Sequence, residues 1–415
     1  MNPYRKHCGA CRGRSLGLAI SLLAAGAIVG AAAPAQADFI LQTNLVTDDN
    51  TFLTSQGYMP AANVDPNLIN PWGISYGPAT PFWVSDNGSG FTTLYHASGV
   101  QASPPSPVIV APPGGSSGPS APTGQVFNST SGFVLKGTTV SASFIFDTED
   151  GTISGWNKNQ PSTASSILEV DNSASGAVYK GLAIASTGGN TYLYAANFNS
   201  GKIEVYNSSF APATLAGNFT DPSPPPVPTG GVGWAPFNVY SDGKGHLYVS
   251  FAVQDAAKHD DVAGMGNGFV DEFDTAGNFI MRVYTGGVLD SPWGLDIAPA
   301  GFGRYTGDLL VGNFGDGTIN AFDLAGAFEG TLTDANGNPI IIGDLWALVN
   351  GNGGPGSNPD AVYFSAGIMD EAHGLFGDLT FVPEPGSLAL LGTGLAAVGW
   401  LAVRRRRAPG AAIGL

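Results

Sequence analysis

Hydrophobic and polar positions alternate in short segments along most of this chain, and one pattern recurs. Four stretches align without gaps: VSDNGSGFTTLY (84–95), IFDTEDGTISGW (145–156), AANFNSGKIEVY (195–206) and VGNFGDGTINAF (311–322). In each, an apolar segment ends at Asp or Asn, a glycine follows four residues later, and an alternating segment ends at an aromatic residue. This pattern predicts a β-hairpin whose turn places the glycine at positive φ.

The spacing of the turn glycines predicts two further units. Gly90, Gly151, Gly201 and Gly317 are 61, 50 and 116 residues apart, so one unit is missing between the last two. That unit is HLYVSFAVQDAAKHDDVAGMGNGFVDEF, with a lengthened turn, and a sixth unit is VYFSAGIMDEAHGLFGDL. A shorter apolar segment precedes each hairpin: NPWGIS and SPWGLD most clearly, then TGQVFN, KGLAIA, APFNVY and LWALVN.

Six units of 50–60 residues, each with several strands, predict an all-β fold, a single six-bladed β-propeller over residues 38–381. The sixth unit lacks a fourth strand, and the segment DFILQTNLVTD (38–48) alternates. We expect this N-terminal strand to complete blade six and remove its open edge. The Pro-rich stretches SPPSPVIVAPPGGSSGPSAP and DPSPPPVP are interpreted as loops between blades, with domain linkers as the alternative.

Residues 1–37 have the pattern of a secretory signal peptide. Four basic residues precede an apolar segment over 15–33, and Ala35-Gln36-Ala37 is a small-x-small cleavage site. We expect a signal peptidase to cut after Ala37, with an uncleaved anchor as the alternative. Both cysteines, Cys8 and Cys11, lie in this segment. A mature body without cysteine excludes disulfides, thiol nucleophiles and Cys-ligated zinc.

A second apolar run, residues 388–403, lies near the end of the chain and precedes four arginines. Sixteen residues are near the lower limit for a bilayer span, and a basic cluster stays on the cytoplasmic side. The pattern predicts a transmembrane helix over 388–403 and a cytoplasmic tail over 408–415. The alternative, a buried core helix, would leave four adjacent arginines without solvent.

The three parts of this C-terminal segment, residues 382–407, occur in a recognisable order. Pro383, Glu384 and Pro385 come first, then the apolar run, and then Arg404, Arg405, Arg406 and Arg407. This order resembles the PEP-CTERM sorting signal of Gram-negative bacteria. The resemblance implies that an exosortase-like enzyme recognises the Pro-Glu-Pro residues, cuts nearby and releases the body, often in cells that produce exopolysaccharide. It predicts transient anchoring in the inner membrane, then a cell-surface or extracellular location.

The body also resembles a known family, in the segments NPWGIS, FWVSDNGSG, KHDDVAGMGNG and DEAHGLFG. It is similar to PEP-CTERM-associated six-bladed propellers, which are related in style to NHL-type propellers. That family has no agreed activity, so the resemblance implies a fold and no reaction.

The charge of the body limits its partners. The chain has 32 acidic and 16 basic residues, and eight of the basic residues lie before residue 38 or after residue 382. Residues 38–382 therefore hold eight basic and 31 acidic residues. Nucleic acid and anionic membrane surfaces are poor partners for such a body, and we expect no nucleic-acid binding. Cations, polysaccharide and other matrix components stay open.

Units four and six lengthen the same hairpin loop, so both loops should lie on one rim of the propeller channel, where propeller ligands usually bind. The candidate ligand-binding residues are Asp255, His259, Asp260 and Asp261 in unit four, and Asp370, Glu371 and His373 in unit six. Carboxylates suit Ca²⁺, and His with carboxylates suits a transition metal. The candidate metal ligands are His259, Asp260, Asp261 and His373, and the alternative is a solvated acidic loop.

Several other motifs are expected to have structural roles only. The Asx residues that end the hairpin strands are expected to form Asx-turns. Trp72 and Trp293 could stack on sugar rings, but core packing is the expectation. Nucleophile-elbow, phosphate-loop and dinucleotide motifs are absent from the sequence, so catalytic residues stay unassigned; a Ser-His-Asp triad stays open because it is defined by geometry.

Two functions follow as hypotheses. The first is a non-enzymatic binding or structural component of an extracellular or exopolysaccharide matrix. The second is a metal-dependent hydrolase or lactonase, with Ca²⁺ or another divalent cation at the channel mouth, which rests on fold-level analogy.

Overall fold

A computed structural model of the protein describes residues 38–102, 106–354 and 357–383. These residues belong to one compact unit, Gln36–Leu415. The predicted signal peptide and the predicted transmembrane segment with its arginines lie outside the described residues. Among the helices of the described residues, none is long and apolar enough to cross a membrane.

The strands are numbered in chain order. The chain begins with β1 (Phe39–Thr47), the short helix α1 (Asn50–Ser55) and β2 (Asn63–Val64). Blade one contains β3 (Pro71–Ser75), β4 (Phe82–Asp86), β5 (Phe91–Tyr95) and β6 (Val108–Ile109), and blade two contains β7 (Pro122–Phe127), β8 (Phe144–Thr148), β9 (Thr152–Trp156) and β10 (Ile167–Asp171). Blade three contains β11 (Tyr179–Thr187), β12 (Asn190–Asn197) and β13 (Lys202–Asn207).

Blade four contains β14 (Gly233–Ser241), β15 (His246–Gln254), β16 (Gly268–Asp274) and β17 (Phe279–Thr285). Blade five contains β18 (Pro292–Ile297), β19 (Leu309–Asn313), β20 (Ile319–Phe322) and β21 (Phe328–Thr331). Blade six contains β22 (Leu345–Asn350), β23 (Ala361–Ala366) and β24 (Leu375–Val382). Two short 3-10 helices span Ser173–Ser175 and Gly303–Tyr305.

Six antiparallel blades form a closed ring around a channel. The innermost strands β3, β7, β11, β14, β18 and β22 contact one another in that order, and β22 contacts β3. Each inner strand contains one of the six predicted short apolar segments, and each predicted hairpin is the second and third strand of a blade. The prediction of an all-β six-bladed propeller is therefore confirmed.

The ring is closed by the two ends of the described chain. Strand β1 pairs antiparallel with β24, from Phe39 opposite Val382 to Thr47 opposite Leu375. The prediction that the N-terminal strand closes blade six is therefore correct. Strand β2 adds to the outer edge of β1 in a parallel pairing at Val46 and Thr47, which the sequence did not predict. This pairing covers part of an edge that would otherwise be free to pair with another chain.

Small residues let the inner strands approach closely around the channel. A Cβ atom on Gly73 would lie 2.5 Å from the carbonyl oxygen of Thr123, and one on Gly124 would lie 2.3 Å from the backbone nitrogen of Leu182. Both distances are shorter than any real Cβ contact, so only glycine fits at these positions.

The residues that precede Gly73, Gly124 and their counterparts on the other inner strands form a ring of six equivalent positions, one on each inner strand. They are Trp72, Thr123, Lys180, Phe237, Trp293 and Trp346. Trp72 of blade one stacks on Trp346 of blade six and meets Trp293 of blade five edge to face, with centroids 6.0 Å apart. Because blades one and five are not neighbours, these indoles meet on the channel axis and fill it with an aromatic layer. Beyond this layer, the second halves of the inner strands line a cavity of about 290 Å³.

Candidate functional site

The candidate site lies at one end of the channel, which we call the channel mouth. The turns between the second and third strands of the blades and the first residues of the inner strands meet there, as the contacts below show. The loops from β15 to β16 and from β23 to β24, which the sequence singled out, both belong to this end.

Lys180 is the central residue of the channel mouth. Its side chain is only 3% exposed, and its Nζ pairs with Glu149 Oε1 and lies 3.4 Å from Asp260 Oδ1. The same Nζ lies 5.2 Å from the ring centroid of Trp72 and 5.8 Å from that of Phe198. Burial lowers the pKa of Lys180, but the neighbouring carboxylates outweigh it and hold the pKa above its ordinary value. The ammonium is therefore charged at neutral pH.

The loop between β15 and β16 brings an imidazole to this cluster. His259 Nδ1 lies 2.8 Å from Asp260 Oδ1, and this hydrogen bond raises the pKa of His259 and lowers that of Asp260 to about 2. Asp255 shapes the loop, since its Oδ1 accepts hydrogen bonds from the backbone N–H groups of His259 and Asp260. Burial raises the pKa of Asp261 to about 6.

Hydrogen bonds continue from Glu149 to blades one and six. Asn87 Nδ2 donates to Glu149 Oε2 at 2.8 Å, and Asn70 Nδ2 donates to Asn87 Oδ1 at 3.3 Å and to Glu371 Oε2 at 2.5 Å. Trp346 Nε1 donates to Asn70 Oδ1 and joins the chain to the aromatic layer. We call this chain the mouth network; its members are His259, Asp260, Lys180, Glu149, Asn87, Asn70 and Glu371. It connects five of the six blades.

The backbone that delivers Glu371 is strained. Met369, Asp370 and Glu371 have φ values of 62°, 52° and 64°, and Asn70 has a φ of 48°. Non-glycine residues in this region cost free energy and persist only where the surroundings hold them. Asp344 does so here, because its Oδ2 accepts the Asp370 N–H at 3.0 Å. Burial raises the pKa of Glu371 to about 7.

The structure separates the seven rim residues predicted from the sequence. His259, Asp260 and Glu371 are members of the mouth network, and Asp255 and Asp261 lie in the same loop as His259. His373 lies elsewhere, with Nδ1 2.7 Å from Asp48 Oδ2 and its ring stacked on Phe52. Asp370 is exposed on its loop.

The structure brings only two of the four candidate metal ligands together. Ligand atoms of Glu149, His259 and Asp260 lie within 4.8 Å of one another, which is close enough to hold a cation. Two of the four predicted ligands, His259 and Asp260, belong to this group. His373 is bonded to Asp48 instead, and Asp261 is outside the group.

The sequence interpretation missed four members of the mouth network: Lys180, Glu149, Asn87 and Asn70. Lys180 had a signal, because it occupies in KGLAIA the place that tryptophan occupies in NPWGIS and SPWGLD. Glu149 also had one, since it lies in the turn of the second repeat and all such turns share a face. Asn70 is a small polar residue before a proline, and nothing in its pattern pointed to the channel.

The expected core packing of the two tryptophans is confirmed, whereas the expected turn bonds of the Asx residues form at only one of the four positions. Trp72 and Trp293 are 1% and 3% exposed, so they pack in the channel and are closed to sugar rings. Asn197 satisfies a turn N–H as expected, since its Oδ1 accepts from the Ser200 N–H. The side-chain oxygens of Asp86 and Asn313 accept no turn N–H. Asp147 differs, because its buried Oδ1 accepts from the Thr123 hydroxyl of the inner strand, and burial raises its pKa to about 7.

The fold and the mouth define a six-bladed β-propeller with a charged network above an aromatic channel. It is 31% identical over 338 residues to the "Uncharacterized protein R648" of Acanthamoeba polyphaga mimivirus, covering 79% of each chain. It is 32% identical over 333 residues to the "Uncharacterized protein L690" of the same virus, covering 79% of this chain and 84% of that one. The chain belongs to the family that contains these two proteins.

Two further comparisons concern the tail and the fold. Residues 381–407 match the PEP-CTERM protein-sorting motif, which implies export, surface sorting and processing by an exosortase-type enzyme. Among solved structures, the calcium-binding protein regucalcin of Agrobacterium tumefaciens is similar, with 13% identity and a TM-score of 0.43 over 76% of this chain and 90% of that one. A likeness at this level carries no argument about ligand or reaction.

Proposed function

We propose that this protein is a non-enzymatic binding component of an extracellular, exopolysaccharide-containing matrix, with the channel mouth as its ligand site. A signal peptidase removes residues 1–37, and the segment 388–403 holds the chain in the inner membrane. An exosortase-type enzyme then recognises Pro383, Glu384 and Pro385 and releases the propeller, residues 38–381, at the cell surface. The match of residues 381–407 to the sorting motif supports this route.

The observation that carries the binding function is the position of Lys180. Its ammonium lies between Glu149 and Asp260, which are two of the three groups that could hold a cation. A divalent ion would have to displace a buried ammonium that these carboxylates already neutralise. Below it, Trp72, Trp293 and Trp346 fill the axis. The ammonium and the carboxylates of the mouth therefore already neutralise one another, and the filled channel axis leaves little depth for a substrate.

The exposed groups of the mouth suit a hydroxyl-rich polymer. The side chains of His259 and Asp260 are 47% and 67% exposed, and Glu371, at the other end of the mouth network, is half-buried. Carboxylates accept hydrogen bonds from sugar hydroxyls, and a bond to a charged acceptor is stronger than a neutral one. The acidic body repels anionic polymers, so the favoured ligand is a neutral or amine-bearing glycan.

A second candidate function is a metal-dependent hydrolase or lactonase. The clustering of Glu149, His259 and Asp260 within 4.8 Å favours it, since a divalent ion there would polarise an ester or lactone carbonyl. In this case the ion would replace the ammonium of Lys180 as the positive charge that neutralises Glu149 and Asp260.

Thermal unfolding with EDTA, Ca²⁺, Mn²⁺ or Zn²⁺ separates the two candidates. An ion that binds only the native state stabilises it by about 2.7 kcal/mol at a hundred times its dissociation constant. We expect the same melting temperature under all four conditions. A shift that Asp260→Asn abolishes, while the exposed control Asp360→Asn keeps it, would favour the hydrolase.

Direct binding tests the leading candidate. Wild-type protein and the double variant Asp260→Asn with Glu371→Gln are compared for retention on immobilised neutral and amine-bearing glycans. We expect at least about tenfold weaker retention for the variant, corresponding to about 1.4 kcal/mol. Equal retention of both proteins, or turnover of an ester or lactone by the wild type, would overturn the proposal.

A further inference from the structure

The two ends of the propeller leave the fold together, at the end of blade six that lies away from the channel mouth. The antiparallel ladder of β1 and β24 runs from Thr47 opposite Leu375 to Phe39 opposite Val382. Near its first end, Asp48 contacts His373 and Gly374, which follow the mouth residue Glu371. At its other end, Phe381 packs against Gly303.

Gly303 identifies the face on which the chain leaves. It lies in the loop between β18 and β19. Strand β18 is an inner strand that begins at the mouth, so this loop lies at the opposite end of the channel. Asp360, in the corresponding loop of blade six, contacts Gly301 of the same loop. Val382 and Pro383 therefore emerge on the face opposite the mouth, which we call the tail face.

The length of the connecting segment limits how the propeller can tilt. Strand β24 has eight residues, so at about 3.3 Å per residue it extends for about 25 Å between the two faces. Only residues 383–387 separate this strand from the apolar run at 388, and six Cα-to-Cα steps extend to about 20 Å at most. This segment is too short to run back along the blade and bring the mouth to a membrane.

We propose that, while the sorting tail is in the membrane, the propeller stands with its tail face toward the bilayer and its mouth toward the exterior. This orientation rests on the membrane anchoring in the proposed function. It places the Pro383–Pro385 motif at the base of the propeller, where a membrane-bound peptidase reaches it without covering the mouth. The mouth can therefore bind its ligand before the tail is cut.

Two lysines of blade four provide a matched pair of probes. Lys244 lies in the turn before β15 on the tail face, and Lys258 lies in the loop after β15 at the mouth. Both are exposed. Strand β15 has nine residues and separates them by about 30 Å. Each substitution to cysteine removes one positive charge, and each probe is the only thiol because residues 38–415 contain no cysteine.

The experiment uses residues 38–415, the chain that remains after the proposed removal of the signal peptide, reconstituted without any exosortase into vesicles of phosphatidylethanolamine and phosphatidylglycerol. Flotation first measures whether the chain is anchored. Energy transfer from a fluorophore on Lys244→Cys or Lys258→Cys to acceptor lipids then reports the height of each face. We expect flotation of both proteins and at least about twofold higher transfer from Lys244→Cys, because the probes are about 30 Å apart.

The outcomes separate the two proposals. Flotation with equal transfer from both probes, or with higher transfer from Lys258→Cys, overturns the orientation and leaves anchoring intact. Failure to float overturns the anchoring, and the orientation with it. Unchanged circular dichroism and melting of both variants confirm that the probes report an intact propeller.

Discussion

Lys180 lies with its ammonium 5.2 Å from the ring centroid of Trp72, although the two residues occupy equivalent positions on the inner strands of blades three and one. The sixfold repeat thus places a cation in a ring that is otherwise mostly aromatic. Attraction between an ammonium and an indole face adds to the pairing with Glu149. This one departure from the repeat creates the charged centre of the mouth.

Removal of the Lys180 charge should destabilise the propeller. Lys180→Met keeps the volume of the side chain but leaves Glu149, whose side chain is only 13% exposed, without its cation. We expect a loss of about 3 kcal/mol in the free energy of unfolding, measured with urea. The exposed control Lys258→Met should change it by less than about 0.5 kcal/mol. A double variant with Glu149→Gln should recover part of the loss, and no recovery would mean that packing and not charge explains the effect.

Because the inner strands approach closely, adding one methyl group between them should strongly lower the free energy of unfolding. In Gly124→Ala the new Cβ would lie 2.3 Å from the backbone nitrogen of Leu182, which cannot move without shifting blade three. We expect a destabilisation of about 3 kcal/mol in urea unfolding. Gly118→Ala is the matched control, since the nearest atom to its new Cβ is 4.0 Å away and Gly118 is outside the left-handed φ region. Equal stability of the two variants would contradict the close-packed ring.

The closing ladder predicts where the ring opens first. Val46 is fully buried on β1, whereas Leu41 on the same strand is 49% exposed. Val46→Asp introduces an unpaired buried carboxylate and should lower the stability by several kcal/mol. Hydrogen exchange should then rise first in β1, β2 and β24. Leu41→Asp should leave exchange near wild type, and faster exchange spread evenly over all blades would argue against a weak point at blade six.

The raised pKa of Glu371 predicts that the free energy of unfolding depends on pH. Burial raises its pKa to about 7, so the folded state holds a proton that the unfolded chain releases at lower pH. The contribution of Glu371 to stability is full below about pH 4.3, the ordinary glutamate pKa, and is lost as the pH rises through about 7. We expect Glu371→Gln to reduce, by the share of one carboxyl group, the fall in the free energy of unfolding between about pH 4.3 and 7. The exposed control Glu329→Gln should keep the wild-type slope, and an unchanged slope in Glu371→Gln would contradict the raised pKa.

The sequence was sufficient to predict the blades, but it was insufficient to predict which residues form the candidate site. Hairpin turns, inner strands and the closing strand β1 depend on local alternation and glycine, and these features repeat along the chain. The mouth network depends on which residues from five blades meet on an axis, and no spacing along the chain encodes that. His373 shows the limit: its loop lies at the mouth, but its side chain turns to Asp48, a residue 325 positions away.

The pairing of Phe39 with Val382 also determines when β1 can pair during folding. A chain exported from its N-terminus has β1 outside first, yet β1 cannot find its partner until almost the whole propeller has followed. At a synthesis rate of about 5–20 residues per second, that delay is roughly 20–70 s. During this delay β1 is an unpaired strand, exposed to any other strand that is being exported at the same time.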